Sequence, residues 1–80
     1  MIKETRYLVF RRVDTGATKT ETHAVESRGH GNVLGFVKWY GPWRQYCFYS
    51  EEGCVFNDGC LQDIAAYSSE LMQERRKGAR

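Results

Sequence analysis

Eight of the eleven aromatic residues fall between Phe36 and Phe56, interleaved with Lys38 and Arg44, and no acidic residue interrupts them before Glu51. Aromatic faces beside a guanidinium are what a nucleobase and its phosphate require: stacking on the ring and paired hydrogen bonds to the phosphate oxygens. Trp39, Tyr40, Trp43 and Tyr46 are the candidates for stacking, and Arg44 and Lys38 the candidates for phosphate. Strand pleating predicts Arg44 on the face of Tyr46 and Phe48, as a guanidinium held over two rings. Two other readings compete. The rings could fill a small core, where large side chains bury most area per residue. The same residue types also make protein–protein hot spots, so composition leaves a nucleotide or nucleic acid and a protein partner both open.

Other chemistry is less well supported. Cys47, Cys54 and Cys60 are odd in number and contain no C-x-x-C pair, which predicts reduced thiols in a reducing compartment. With His30 they supply four possible metal ligands, but spacings of six and seven residues between the cysteines are not those of a zinc site. A thiol enzyme built on Cys60 or Cys47 needs a base, and His23 and His30 lie in the polar N-terminal half. Ser50, Ser68 and Ser69 lack a nucleophile-elbow context. Gly29-His30-Gly31 precedes a strand, whereas phosphate loops precede helices. No catalytic residue, metal or cofactor is expected, and the protein is expected to be non-enzymatic. The helix-end residues Arg75, Arg76 and Lys77, with Arg80, read as a solvated basic segment; a phosphate-seeking arm is the rival reading.

The elements that must position these residues belong to one small chain of 80 residues and 9.3 kDa. With 41% hydrophobic and 14% aromatic residues it is too apolar for a disordered chain. Four of its twelve basic residues lie in the last six positions, so eight basic residues face ten acidic ones elsewhere. The basic balance belongs to the C-terminal end and does not by itself mark a nucleic-acid protein. Neither a membrane-spanning run nor a signal peptide is visible, so the chain is expected in the cytoplasm and off the membrane.

Arg6 to Val13 reads as a first strand, with Tyr7, Val9 and Val13 on one face and Leu8 and Phe10 on the other. Asp14-Thr15-Gly16 supplies an Asx-type turn. Ala17 to Val25 reads as a polar strand at a sheet edge. Val33 to Tyr40 is the strongest strand; Gly41-Pro42 breaks it, and Trp43 to Tyr49 returns as its hairpin partner. Asn57 or Asp58 can cap a helix whose buried stripe is Leu61, Ile64, Ala65, Ser68, Leu71 and Met72. The expected fold is α+β: a four- to five-stranded antiparallel meander with one C-terminal helix on one face, in a single domain over 1–77 with a basic tail at 78–80. One helix covers one face of a sheet. The other face is then an exposed aromatic surface, a ligand platform or the interface of a homodimer.

The string Lys38-Trp39-Tyr40-Gly41-Pro42-Trp43-Arg44-Gln45-Tyr46-Cys47-Phe48, continued by Val55-Phe56 and by Cys60-Leu61-Gln62-Asp63-Ile64, is specific. It resembles a group of small uncharacterised proteins encoded by bacteriophages and prophages. The resemblance covers the C-terminal half. It implies a phage or mobile-element setting in the cytoplasm of a bacterial host, and no known reaction. Accessory phage proteins of this size commonly act by binding: they inhibit a host defence, sequester a signal or redirect a host enzyme. The protein partner left open above would then be a host protein.

Overall fold

The computed structural model describes residues 2–16 and 19–78. Five strands, β1 (Ile2–Glu4), β2 (Leu8–Val13), β3 (Thr22–Ser27), β4 (Val33–Tyr40) and β5 (Gln45–Ser50), precede the helix α1 (Asp58–Gly78). They form an antiparallel sheet in chain order, a meander. The expected α+β architecture is therefore the observed one, in its five-stranded form.

Local chemistry explains the turns. Thr5 closes the β1–β2 hairpin: its hydroxyl accepts the Leu8 N–H at 3.1 Å and its own N–H donates to the Leu8 carbonyl at 2.8 Å. That turn takes Arg6 and Tyr7 out of the expected first strand and frees Ile2–Glu4 to pair against β2. Asp14 Oδ1 accepts the Gly16 N–H at 3.0 Å, and Gly16 takes φ +80°, the expected Asx turn with a left-handed glycine.

The polar segment expected at an edge instead contributes the central strand. β3 begins only at Thr22, pairs on both sides, and buries His23, Ala24 and Val25. Ala17 and Thr18 of that expectation lie outside the described residues, and residues 19–21 lead into the strand. Centrality is possible because its buried polar side chain, His23, finds a partner for each ring nitrogen, described below.

Strand registers assign the faces. Leu8, Phe10, His23, Val25, Val37, Trp39, Tyr46 and Phe48 share the helix side, while Val9, Val13, Ala24, Phe36, Lys38, Tyr40, Cys47 and Tyr49 share the other. Helix α1 starts where Asn57 Oδ1 accepts the Cys60 N–H at 2.8 Å, so Asn57 is the N-cap. Its buried residues are Ile64, Tyr67 and Leu71, with Cys60 and Met72 packed beside them; Leu61 and Ala65, expected inside, are exposed. Tyr67 causes the rotation. Its ring stacks on Phe10 with centroids 4.2 Å apart and planes 14° from parallel, claiming the centre of the core.

Close approach makes one glycine necessary. A Cβ on Gly35 would strike the Tyr49 carbonyl oxygen across the ladder and lie 2.7 Å from the Phe48 ring. Gly35→Ala is expected to destabilise by about 1–3 kcal/mol through overpacking, read as a lower midpoint in urea at unchanged slope. An unchanged midpoint would mean the Phe48 ring has room to move.

Candidate functional site

The β4–β5 hairpin distributes the aromatic cluster over two faces. Gly41–Trp43 forms a single 3-10 turn, closed by the Arg44 N–H donating to the Gly41 carbonyl at 3.0 Å. Pairing resumes at Tyr40 opposite Gln45, so odd-numbered residues of β4 share a face with even-numbered residues of β5. Trp39 therefore stands opposite Tyr46, and Lys38 opposite Cys47.

Trp39 and Tyr46 are on the helix side. Their rings meet edge to face at 5.4 Å. The Tyr46 hydroxyl accepts the Glu21 N–H at 3.1 Å, and the Tyr46 N–H points at Met72 Sδ, which shields this edge strand at that position. The Arg75 guanidinium lies 4.2 Å from the Trp39 ring centroid and donates to the Lys19 carbonyl at 2.9 Å. These two rings build the core. Arg75, read from sequence as part of a solvated end, is instead a clamp on Trp39; residues 79–80 of the tail lie outside the described residues.

Lys38, Tyr40 and Trp43 gather on the helix-free side. Tyr40 contacts Trp43 edge to face at 5.0 Å and Tyr49 at 6.3 Å, and Lys38 Nζ lies 4.4 Å from the Tyr49 ring centroid. Trp43 is 67% exposed. Phe36, in register with Tyr49, extends the row. Tyr49 and Phe36 share this face although the sequence reading left them out of the candidate group; a four-residue connection between paired strands is the signal that would have placed Tyr49 beside Tyr40. The Tyr49 hydroxyl is held above its ordinary pKa, first by desolvation and then by Cys47 and Tyr40.

Arg44 does not lie over Tyr46 and Phe48 as pleating predicts. It is the C-cap of the 3-10 turn, exposed, with φ +53° and ψ +48°. Among the described residues it is the one non-glycine with positive φ. This left-handed conformation costs an L-residue roughly 1–2 kcal/mol.

A second polar cluster lies between sheet and helix. Tyr67 Oη and His23 Nδ1 are 2.6 Å apart, and His23 Nε2 is 2.9 Å from Glu21 Oε1. Glu21 as a carboxylate only accepts, so Nε2 carries a proton; in the neutral imidazole Tyr67 then donates to Nδ1. His23 is 1% exposed with both nitrogens partnered. Burial, then Glu21, Glu74 and Glu70, push the Tyr67 hydroxyl up to about 12. That is the wrong direction for a phenolate nucleophile. The cluster ties the helix to the central strand, which is its structural use.

The thiols are free and half-buried. Cys60 and His30 line one open groove with Arg6, Tyr7 and Asn32, and no thiol–imidazole hydrogen bond is formed among the described residues. Among those residues no group of three or more His, Cys, Asp or Glu side chains is arranged to hold a metal ion, and no helix is long and apolar enough to cross a membrane.

A five-stranded meander, one capping helix and an uncovered aromatic row define a small α+β protein. No family model matches the chain, and no solved structure matches it. It is 36% identical over 76 residues to an uncharacterised 9.3 kDa protein of Acholeplasma phage L2, a match covering 95% of this chain and 97% of that one. The chain belongs to the family of that small phage protein. The similarity runs through the N-terminal half as well as the hairpin.

Proposed function

We propose that this is a non-enzymatic accessory binding protein of a phage or mobile element, acting in the cytoplasm of the host bacterium. Its ligand site is the helix-free side of the β4–β5 hairpin. Tyr40, Trp43 and Tyr49 stack on the base of a nucleotide-type ligand or nucleic acid, and Lys38 and Arg44 meet phosphate. One observation carries this reading: at a single turn, an indole is left 67% exposed and the next residue is an arginine held in a left-handed conformation. Neither feature serves the core, and strain of this kind concentrates at functional sites.

The Arg44 series tests it. A thermal-shift screen against nucleotides and cyclic dinucleotides, with and without salt, supplies the ligand. Arg44→Gly is expected to leave stability unchanged or raise it by up to about 1 kcal/mol, because glycine tolerates the left-handed region. Both Arg44→Gly and Arg44→Lys are expected to weaken that ligand, the lysine by about 1–3 kcal/mol, since it keeps the charge but loses the fork. Full affinity in the lysine variant would remove Arg44 from the site.

A second reading has its own observation. Ile2, Val9 and Val13 lie on the same face in β1 and β2, around the Arg11–Glu26 ion pair, and Ile2 is 54% exposed. A host defence protein seated on this face would use the same Trp43 and Tyr40 as hot spots. Silence in the nucleotide screen, together with capture of one host protein that Trp43→Ala abolishes, would favour it.

A further inference from the structure

We infer that the ligand of the hairpin is a single-stranded polynucleotide, whose phosphate chain runs from the aromatic row over the hairpin tip to the C-terminal end of α1. The inference rests on the stacking site proposed above and names its ligand class.

The hairpin cations and the helix-end cations are more than thirty residues apart in sequence, yet the fold brings them to one end of the molecule. Arg75 is the link. Its guanidinium covers Trp39, the residue before Tyr40, and reaches the Lys19 carbonyl at 2.9 Å. Arg76 and Lys77 follow on the same helical turn, within about 3 Å of Arg75 along the axis at 1.5 Å per residue. Both are exposed. Arg44 closes the 3-10 turn at the hairpin tip, and Lys38 sits on the opposite side of the sheet from Arg75. Lys19, Lys38, Arg44, Arg75, Arg76 and Lys77 thus belong to segments at the end of the molecule that exposes Trp43. From Ser27 to Ser50 the chain carries no acidic residue. Glu21 and Glu74 line the groove beside Arg75, and Glu21 is engaged by His23.

A mononucleotide occupies one ring and one or two cations. It gives no use to charges on both sides of the tip. A strand does: successive bases stack on Tyr49, Tyr40 and Trp43, and the following phosphates reach Arg76 and Lys77. A duplex cannot offer its stacked bases to the rings, so single-stranded character follows from the same geometry.

The test uses the full chain and fluorescence anisotropy with labelled oligonucleotides of about ten residues, within the ~4–16 nucleotides such sites span. The probes are one mixed sequence as DNA, the same sequence as RNA, its DNA duplex, and AMP as competitor. Binding of either single strand, tighter than AMP and tighter than the duplex, is expected. The double variant Arg76→Ala/Lys77→Ala is expected to keep its melting temperature and to flatten the plot of log affinity against log salt, by about 0.7 for each phosphate it no longer neutralises. Trp43→Ala is expected to lower affinity at every salt concentration with the slope intact. An unchanged slope in the double variant, AMP binding as tightly as the strand, or a duplex binding equally well overturns the inference while leaving a stacking site. Failure of AMP and both single strands to bind overturns the nucleotide reading itself.

Discussion

Tyr67→Ala is expected to cost about 3–5 kcal/mol, the range for truncating a buried aromatic. A chain of this size has total stability of only about 4–12 kcal/mol, at roughly 0.05–0.15 kcal/mol per residue. Two losses combine. The Phe10 ring loses the partner stacked 4.2 Å from it, and His23 loses the hydroxyl that bonds Nδ1. Tyr67→Phe separates them. It keeps the stack and leaves one buried nitrogen without a donor, at an expected cost of about 1–3 kcal/mol.

The pH dependence gives an independent check. The Tyr67 hydroxyl titrates at about 12 in the folded chain against 10.0 ordinarily, so folding favours its protonated form. Above pH 10 the unfolded chain gives up this proton first and binds fewer protons than the native state, so stability falls as pH rises. The contribution is fully present below pH 10 and is lost between about pH 10 and 12, amounting to about 2–3 kcal/mol. Tyr67 is 5% exposed, so solvent screens little of it. Urea midpoints collected across this range should fall steeply for the natural chain and less steeply for Tyr67→Phe. Parallel curves would place the alkaline loss elsewhere.

The two tryptophans of the hairpin should respond in opposite ways. Trp39→Ala removes the ring that packs on Tyr46 and under Arg75, and is expected to destabilise by about 3 kcal/mol. Trp43→Ala removes a ring that is 67% exposed and should move stability by less than about 0.5 kcal/mol. Its effect falls on binding: a loss of about 1–3 kcal/mol for each base it stacks. Denaturation and ligand titration of both variants settle the assignment. A Trp43→Ala variant that binds normally would leave the aromatic row without its most exposed member.

Which hairpin residues share a face was legible in the sequence only in part, for definite reasons. Lys38, Tyr40, Trp43 and Arg44 were legible as a surface group because strand, turn and cation follow one another locally. Trp39 and Tyr46 were grouped with them because type and proximity say nothing about face. The turn length decided that. With four residues between Tyr40 and Gln45, the parity of β5 is inverted relative to β4, and Tyr49 replaces Tyr46 as the neighbour of Tyr40. Arg44 illustrates the limit most clearly: pleating arguments apply to extended backbone, and its φ of +53° takes it out of the strand.

Sequence by itself determined whatever depends on neighbours a few residues apart. The bounds of β4, the Asp14–Gly16 turn, a helix cap at Asn57 or Asp58 and the exclusion of acids from the hairpin are of this kind, since period-two alternation, side-chain capping and charge runs act locally. Tertiary structure decided which surfaces meet. Phe10 drew Tyr67 inward and turned Leu61 and Ala65 out, because a stacked aromatic pair buries more area than a leucine and an alanine. His23 could occupy the central strand only once Tyr67 came from the helix and Glu21 from the preceding segment to bond its two nitrogens. Arg75 joined the hairpin when packing put the last helical turn over Trp39. Long-range packing made these choices, because a buried side chain adopts the face on which its area and its hydrogen bonds are both satisfied.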